Sequence, residues 1–305
     1  MIPVLEALFP IFALIALGVF LKSRQWVPDG TWPAVEKMVY YLFFPALLVH
    51  RIAGADLGGL NVWPLFGTIW ITVLTLSALV IAFRRALPTD GPGFTSVFQG
   101  AVRFNTYVAL AVPAALFDEA GTIIATMCVA AAIPLINVVC VMVLVGYADS
   151  GRDASVKAVV TSLIQNPLIL GIIAGLVLNA SGLGLPAFIG PGLEILSRAA
   201  LPMALLAVGA GLNLAAVRAA GGLVGLTTGI KLLFTPLLVW AVGGILGLEG
   251  LTLTVCVLWG AMPGAPNAYI LARALGGDER MIAGIITATT IAALVTLPLI
   301  LLILN

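Results

Sequence analysis

Two short stretches hold the side chains best suited to chemistry, RFNTYVALAVP at residues 103–113 and MPGAPNAYILA at 262–272. Each carries an Asn-x-Tyr pair, Asn105 with Tyr107 and Asn267 with Tyr269. An asparagine amide offers donors and acceptors together. A tyrosine can cover the apolar part of a small molecule or donate its hydroxyl. Arg103 stands just before Asn105, and its planar fork can bind a carboxylate through two parallel hydrogen bonds. Pro263, Gly264 and Pro266 fall so close together that a helix there should break. Pro113, past Asn105 and Tyr107, marks the corresponding break in the other stretch. Exposed amides at a half-helix N-terminus carry partial positive charge and point at a ligand. Two such ends with their Asn-x-Tyr pairs would suit a small organic anion.

Plainer readings stand beside this one. A single proline in an apolar helix is most often a kink, a lone asparagine is often interhelical glue, and both tyrosines fit as packing. Arg103 serves equally well as a substrate contact or as an anchor reaching an interface. The repetition of Asn-x-Tyr beside a Pro-Gly-x-Pro break favours a site. Catalysis is disfavoured: the chain has no HExxH or GxSxG pattern and one histidine, His50, near an expected span end. The expectation is a protein that is not an enzyme.

The elements that must position these residues follow from composition. Of the 305 residues, 62% are apolar and 9% charged, and the mean hydropathy is +1.19, values that mark an integral membrane protein. Ten apolar stretches, each near the ~20 residues needed to cross ~30 Å of hydrocarbon, lie at about 3–22, 34–53, 62–86, 94–117, 121–147, 158–179, 188–210, 221–246, 251–274 and 280–304. The first lacks a basic leader and carries Glu6, so it reads as a retained span. The longest polar connection, at 147–157, leaves no room for a soluble domain. Cys128, Cys140 and Cys256 show no paired or metal-like spacing and read as packing residues. Nothing calls for a metal, a cofactor or a nucleic-acid partner.

Ten of the 14 Lys and Arg fall in the odd-numbered connections, the even ones carry Arg51 alone, and Arg103, Arg198 and Lys231 lie within spans. The positive excess places the odd connections, including 147–157, in the cytoplasm and both termini outside.

The chain also repeats itself. At an offset of 157 residues Pro10 meets Pro167, Gly18 meets Gly175, Pro45 meets Pro202, Gly54 meets Gly211 and Asp56 faces Asn213. At a slightly shifted offset Asn105 and Tyr107 meet Asn267 and Tyr269, and Asp118-Glu119 meets Asp278-Glu279. The landmarks keep their order, defining repeats at 1–147 and 158–305 joined by a cytoplasmic linker at 148–157. Five spans per repeat is odd, so the second repeat enters the membrane from the opposite side. Inverted repeats with interrupted helices near the midplane are the mark of secondary transporters. The expected fold is an all-α membrane protein of ten transmembrane helices in two inverted five-helix repeats, with helices four and nine broken.

Two other sets of charges matter. Glu194 and Arg198, spaced i,i+4, read as an ion pair on one helix face. Lys231 lies near the centre of the eighth stretch with no close sequence partner. An intramembrane charge is a functional candidate by default. Lys231 can attract an anion, stand where a related carrier holds sodium, titrate during transport, or pair for structure alone.

FFPALLVHRIAG (43–54), RFNTYVALAVPAALFDEAG (103–121), and APNAYILARALGGD with TATTIAALVTLPL (265–278 and 287–299) resemble the auxin efflux carrier family, specifically its bacterial members. The likeness covers nearly the whole chain. It implies a scaffold and a transport domain, crossover helices four and nine, and a substrate site beside the crossover at Asn105 and Asn267 and their prolines. It also implies organic-anion substrates, such as indole-acetate in plant members and malate or malonate in bacterial ones. The long cytoplasmic loop of plant carriers is replaced here by the short 147–157 connection. The more distant bile acid symporters share the crossover but use sodium, for which deep carboxylates are lacking. The expectation is a secondary transporter of small carboxylates in the cell inner membrane, with uniport and proton coupling both open. A homodimer is one arrangement open to it. The alternatives are a sodium-coupled symporter or a sensor that binds without transport.

Overall fold

The structure, a computed structural model, describes residues 2–55, 61–148, 164–182, 184–219 and 221–304. Among these residues the regular structure is helical throughout. Six helical stretches are long and apolar enough to cross a membrane, and Pro167–Ala180 and Gly250–Gly260 are shorter apolar helices. The chain is an all-α, multi-pass membrane protein. The expected linker 149–157, the start of the sixth stretch at 158–163, and Asp56 lie outside the described residues.

One group of helices comprises α1 (Ile2–Ser23), α2 (Trp32–Met38), α3 (Phe44–Ala53), α7 (Pro167–Ala180) and α8 (Gly190–Gly211). Here α1 packs on α8, and α3 packs on both α7 and α8. Missing side chains allow the close approach. A Cβ on Gly209 would lie 1.9 Å from the Ile15 carbonyl oxygen, and one on Gly18 would lie 2.1 Å from that of Leu206. Gly171 and Gly175 abut Pro45 and Ile52 of α3 in the same way. Without a hydrophobic drive between helices in lipid, such small-residue contacts supply the packing. Gly209→Ala is therefore expected to destabilise the fold by about 2 kcal/mol through overpacking. A lowered melting temperature in detergent checks this, and an unchanged one contradicts it.

The second group comprises α4 (Val62–Ala82), α5 (Gly91–Val102), α6 (Thr106–Tyr147), α9 (Leu214–Ala219), α10 (Gly221–Gly229), α11 (Thr235–Ile245), α12 (Gly250–Gly260), α13 (Asn267–Leu275) and α14 (Glu279–Leu304). α6 packs against α4, α5 and α12, and α14 against α5, α9 and α10. Two π turns, Val39–Phe43 and Ile230–Phe234, end just before Pro45 and Pro236. The wider turn takes up the proline ring and its missing donor. In the second π turn the Thr235 hydroxyl donates to the Ile230 carbonyl at 2.9 Å.

The break in the fourth stretch is not at Pro113. That proline lies inside α6, and the chain leaves helical geometry at 103–105 and again at Phe117 and Asp118, the latter with φ 50°. A lone membrane proline is accommodated by its surroundings. The true break is made where Asn105 caps the following helix and its own backbone finds a tertiary partner, described next.

Candidate functional site

The two interruptions touch. The Asn105 N–H donates to the Pro263 carbonyl at 2.8 Å, joining the 103–105 break to the one between α12 and α13. That second break, at 261–266, contains Pro263, Gly264 and Pro266. The Gly264 N–H donates to the Thr289 hydroxyl of α14 at 3.0 Å. A Cβ on Gly264 would come within 3.2 Å of that oxygen, so a side chain there would press on the Thr289 hydroxyl. Backbone groups freed by the breaks thus find protein partners, as burial in a low-dielectric interior demands.

Arg103 sits at the first break with only 6% of its surface exposed. Its Nη2 donates to Asn137 Oδ1 at 3.2 Å and to Asn267 Oδ1 at 3.3 Å. Its Nε and Nη1 are buried with no hydrogen-bond partner. The guanidinium therefore does not reach an interface; it points inward with donors to spare. Asn105 is fully buried, and its Oδ1 accepts the N–H groups of Tyr107 at 3.0 Å and Val108 at 3.3 Å, the geometry of an N-cap. Its Nδ2 is buried without a partner. Asn267 opens α13 and is exposed.

A cavity of about 80 Å³ lies at this junction, lined by Arg103, Thr106, Asn137, Asn166, Asn267 and Tyr40 among others. No Asp or Glu lines it, and among the described residues none is buried anywhere. A buried cation with unpaired donors is costly unless an anion joins it. Five residues were singled out from the sequence for binding. Arg103 and Asn267 line this cavity; Asn105 does not, although its neighbours Phe104 and Thr106 do. Tyr107 instead packs on Phe44, ring centroids 4.7 Å apart. Tyr269 lines a second cavity of about 860 Å³, with Pro266, Lys22, Glu36 and Asn213.

With this geometry in view, the kinship is informative. Residues 152–301 match the model of a family described as membrane transport protein. Over 297 residues, 96% of this chain and 96% of the relative, the sequence is 25% identical to an uncharacterized transporter of Methanothermobacter thermautotrophicus. Along its second half the chain is thus similar to membrane transport proteins, and along nearly its whole length to a transporter.

Lys231 is 1% exposed on the second π turn. It does not line the small cavity. Its Nζ lies 5.9 Å from the centroid of Trp259, whose ring meets Phe104 at 5.2 Å. Lys231 is thus connected to the 103–105 break through two aromatic rings rather than by direct contact. Glu194 and Arg198 form the expected i,i+4 ion pair on an exposed face of α8. Cys128 and Cys256, far apart in sequence, face each other as free thiols with sulfurs 3.7 Å apart. Among the described residues no three His, Cys, Asp or Glu are grouped to hold a metal.

Sequence reasoning passed over four polar residues of the small cavity: Tyr40, Thr106, Asn137 and Asn166. Asn166-Pro167 carries a readable signal, an N-cap residue followed by proline at the first helical position. It was hidden because it falls inside an unbroken apolar stretch. Asn137 offers only its polarity in an apolar run.

Proposed function

We propose that this chain is a secondary transporter of small organic carboxylates, working by alternating access across the cytoplasmic membrane and not an enzyme. The observation that carries the reading is Arg103, a buried guanidinium with two unpartnered nitrogens at the meeting of two helix breaks, in a cavity without a carboxylate. Asn267 and Asn137 hold the guanidinium in place, and Asn105 caps the helix that starts there. A substrate carboxylate would take the free N–H groups.

The proposed frame is ten transmembrane helices in two inverted repeats, 1–147 and 158–305, with the linker 148–157 cytoplasmic and both termini outside. Its support includes a pseudo-symmetric contact: Gly18 of α1 meets the backbone of α8, and its repeat counterpart Gly175 of α7 meets α3. The two helix groups, with two cavities lined by residues of both, suit a rocking or elevator-like displacement. Tyr107 and Tyr269 then act at the margins of the path rather than on the carboxylate. Lys231 is a buried amine in the group that bears Arg103. With no buried carboxylate among the described residues, sodium coupling has less support than uniport or proton coupling.

A thermal-shift screen of short mono- and dicarboxylates on the purified chain tests this. A ligand at 100 times its dissociation constant stabilises by about 2.7 kcal/mol, so at least one is expected to raise the melting temperature in sodium-free buffer. Stabilisation by none, or only with sodium present, would overturn the carboxylate reading or its sodium independence respectively. Radiolabelled flux in the same preparation separates a carrier from a sensor.

A further inference from the structure

The small cavity has a wall that the crossover does not provide. Asn166 lines it, as does Leu168, both from the start of α7, and Tyr40 joins them from the first π turn. These residues belong to the group formed by α1, α2, α3, α7 and α8, whereas Arg103, Asn137 and Asn267 belong to the other. Asn166 is 6% exposed. Its Oδ1 accepts the N–H groups of Leu168 at 2.9 Å and Ile169 at 3.4 Å, and the Leu170 N–H donates to its carbonyl at 3.0 Å. Pro167 has no N–H to give. The first turn of α7 is therefore satisfied, and what remains for the cavity is the Asn166 Nδ2 amide, which has no acceptor among the described residues, and the positive end of a helix of 14 residues.

We infer that Asn166 is a substrate-binding residue: its side-chain amide, at the positive end of α7, holds the carboxylate against Arg103, so that the anion bridges the two helix groups. This rests on the proposed carboxylate site and adds its second half. α7 is fixed to α3 by the glycine contacts at Gly171 and Gly175 and by Asn179, whose Nδ2 donates to the carbonyls of Ile52 at 3.0 Å and Ala55 at 2.7 Å. Asn166 thus cannot follow a displacement of the Arg103 group. The guanidinium and the positive end of α7 line one cavity. A bound carboxylate accepts from both, and moving the Arg103 group breaks the α7 half of the contact first. The same geometry limits the recognised group to one carboxylate, since a single guanidinium and a single helix end meet there.

The experiment titrates the full-length chain with the potassium salts of acetate, malonate and malate, read by thermal shift, in the wild type, Asn166→Asp, Asn166→Ser and Arg103→Gln. Aspartate and serine both keep the N-cap, so the unliganded variants should melt near the wild type. Asn166→Asp sets a carboxylate against the anion and is expected to weaken binding by about 30-fold or more. Asn166→Ser loses the amide donor and should weaken it about 5-fold. Arg103→Gln should abolish the response. An Asn166→Asp titration matching the wild type, with Arg103→Gln unresponsive, overturns the α7 contact and leaves the carboxylate site standing. No response from the wild type to any of the three salts overturns both. If Asn166→Asp does not fold, Asn166→Ser decides, and wild-type affinity there overturns the contact.

Discussion

Arg103→Gln is expected to cut carboxylate uptake by roughly 100-fold or more, the range reached when one partner of a buried charged contact is removed. The same substitution should not weaken the unliganded protein. The guanidinium is buried with Nε and Nη1 unpaired, and a buried charge without a partner is a net cost. The neutral, shorter glutamine removes that unpaired charge, at the loss of the two Nη2 contacts to Asn137 and Asn267. The expected result is an opposite pair: activity lost, and the ligand-free melting temperature unchanged or raised. A residue retained for structure would show the reverse, a lowered melting temperature with residual uptake. Uptake in proteoliposomes and melting in detergent, measured on one preparation, separate the two.

The second large effect is expected at the paired asparagines, and the structure divides it unequally. Asn267→Ala removes one of two acceptors that hold Arg103 Nη2. Because Asn267 is exposed at the start of α13, its loss should abolish transport with little change in stability. Asn105→Ala removes the cap of α6, leaving the N–H groups of Tyr107 and Val108 without their acceptor. That should cost about 1 kcal/mol of stability in addition to transport. Folded protein with wild-type uptake in both variants would remove the asparagines from the site.

How much of this was legible beforehand depends on the range of the interaction concerned. Membrane class and the placement of apolar helices follow from local composition, which lipid enforces over each whole span. The interruption around Pro263, Gly264 and Pro266 is visible because two prolines and a glycine act on their own backbone. The interruption at 103–105 is different. It is made by a side-chain cap and by a hydrogen bond from Asn105 to Pro263 across the fold, and a reading along the chain shifts it to the nearest proline, Pro113. The same holds for the site. Arg103, Asn105 and Asn267 stand out as polar residues in apolar runs, whereas the separation of Tyr107 from Tyr269 reflects packing on Phe44 and on the larger cavity. Asn166 stands out only once the start of α7 is found to line the same cavity as Arg103. Cys128 and Cys256 become neighbours only because α6 packs on α12.

The most direct test of the central claim is radiolabelled malonate flux into proteoliposomes containing the wild-type chain or Arg103→Gln, with sodium replaced by potassium on both sides. The account predicts saturable, sodium-independent uptake by the wild type and flux at the level of empty liposomes for Arg103→Gln. Saturable uptake of equal rate in the two proteins would contradict it.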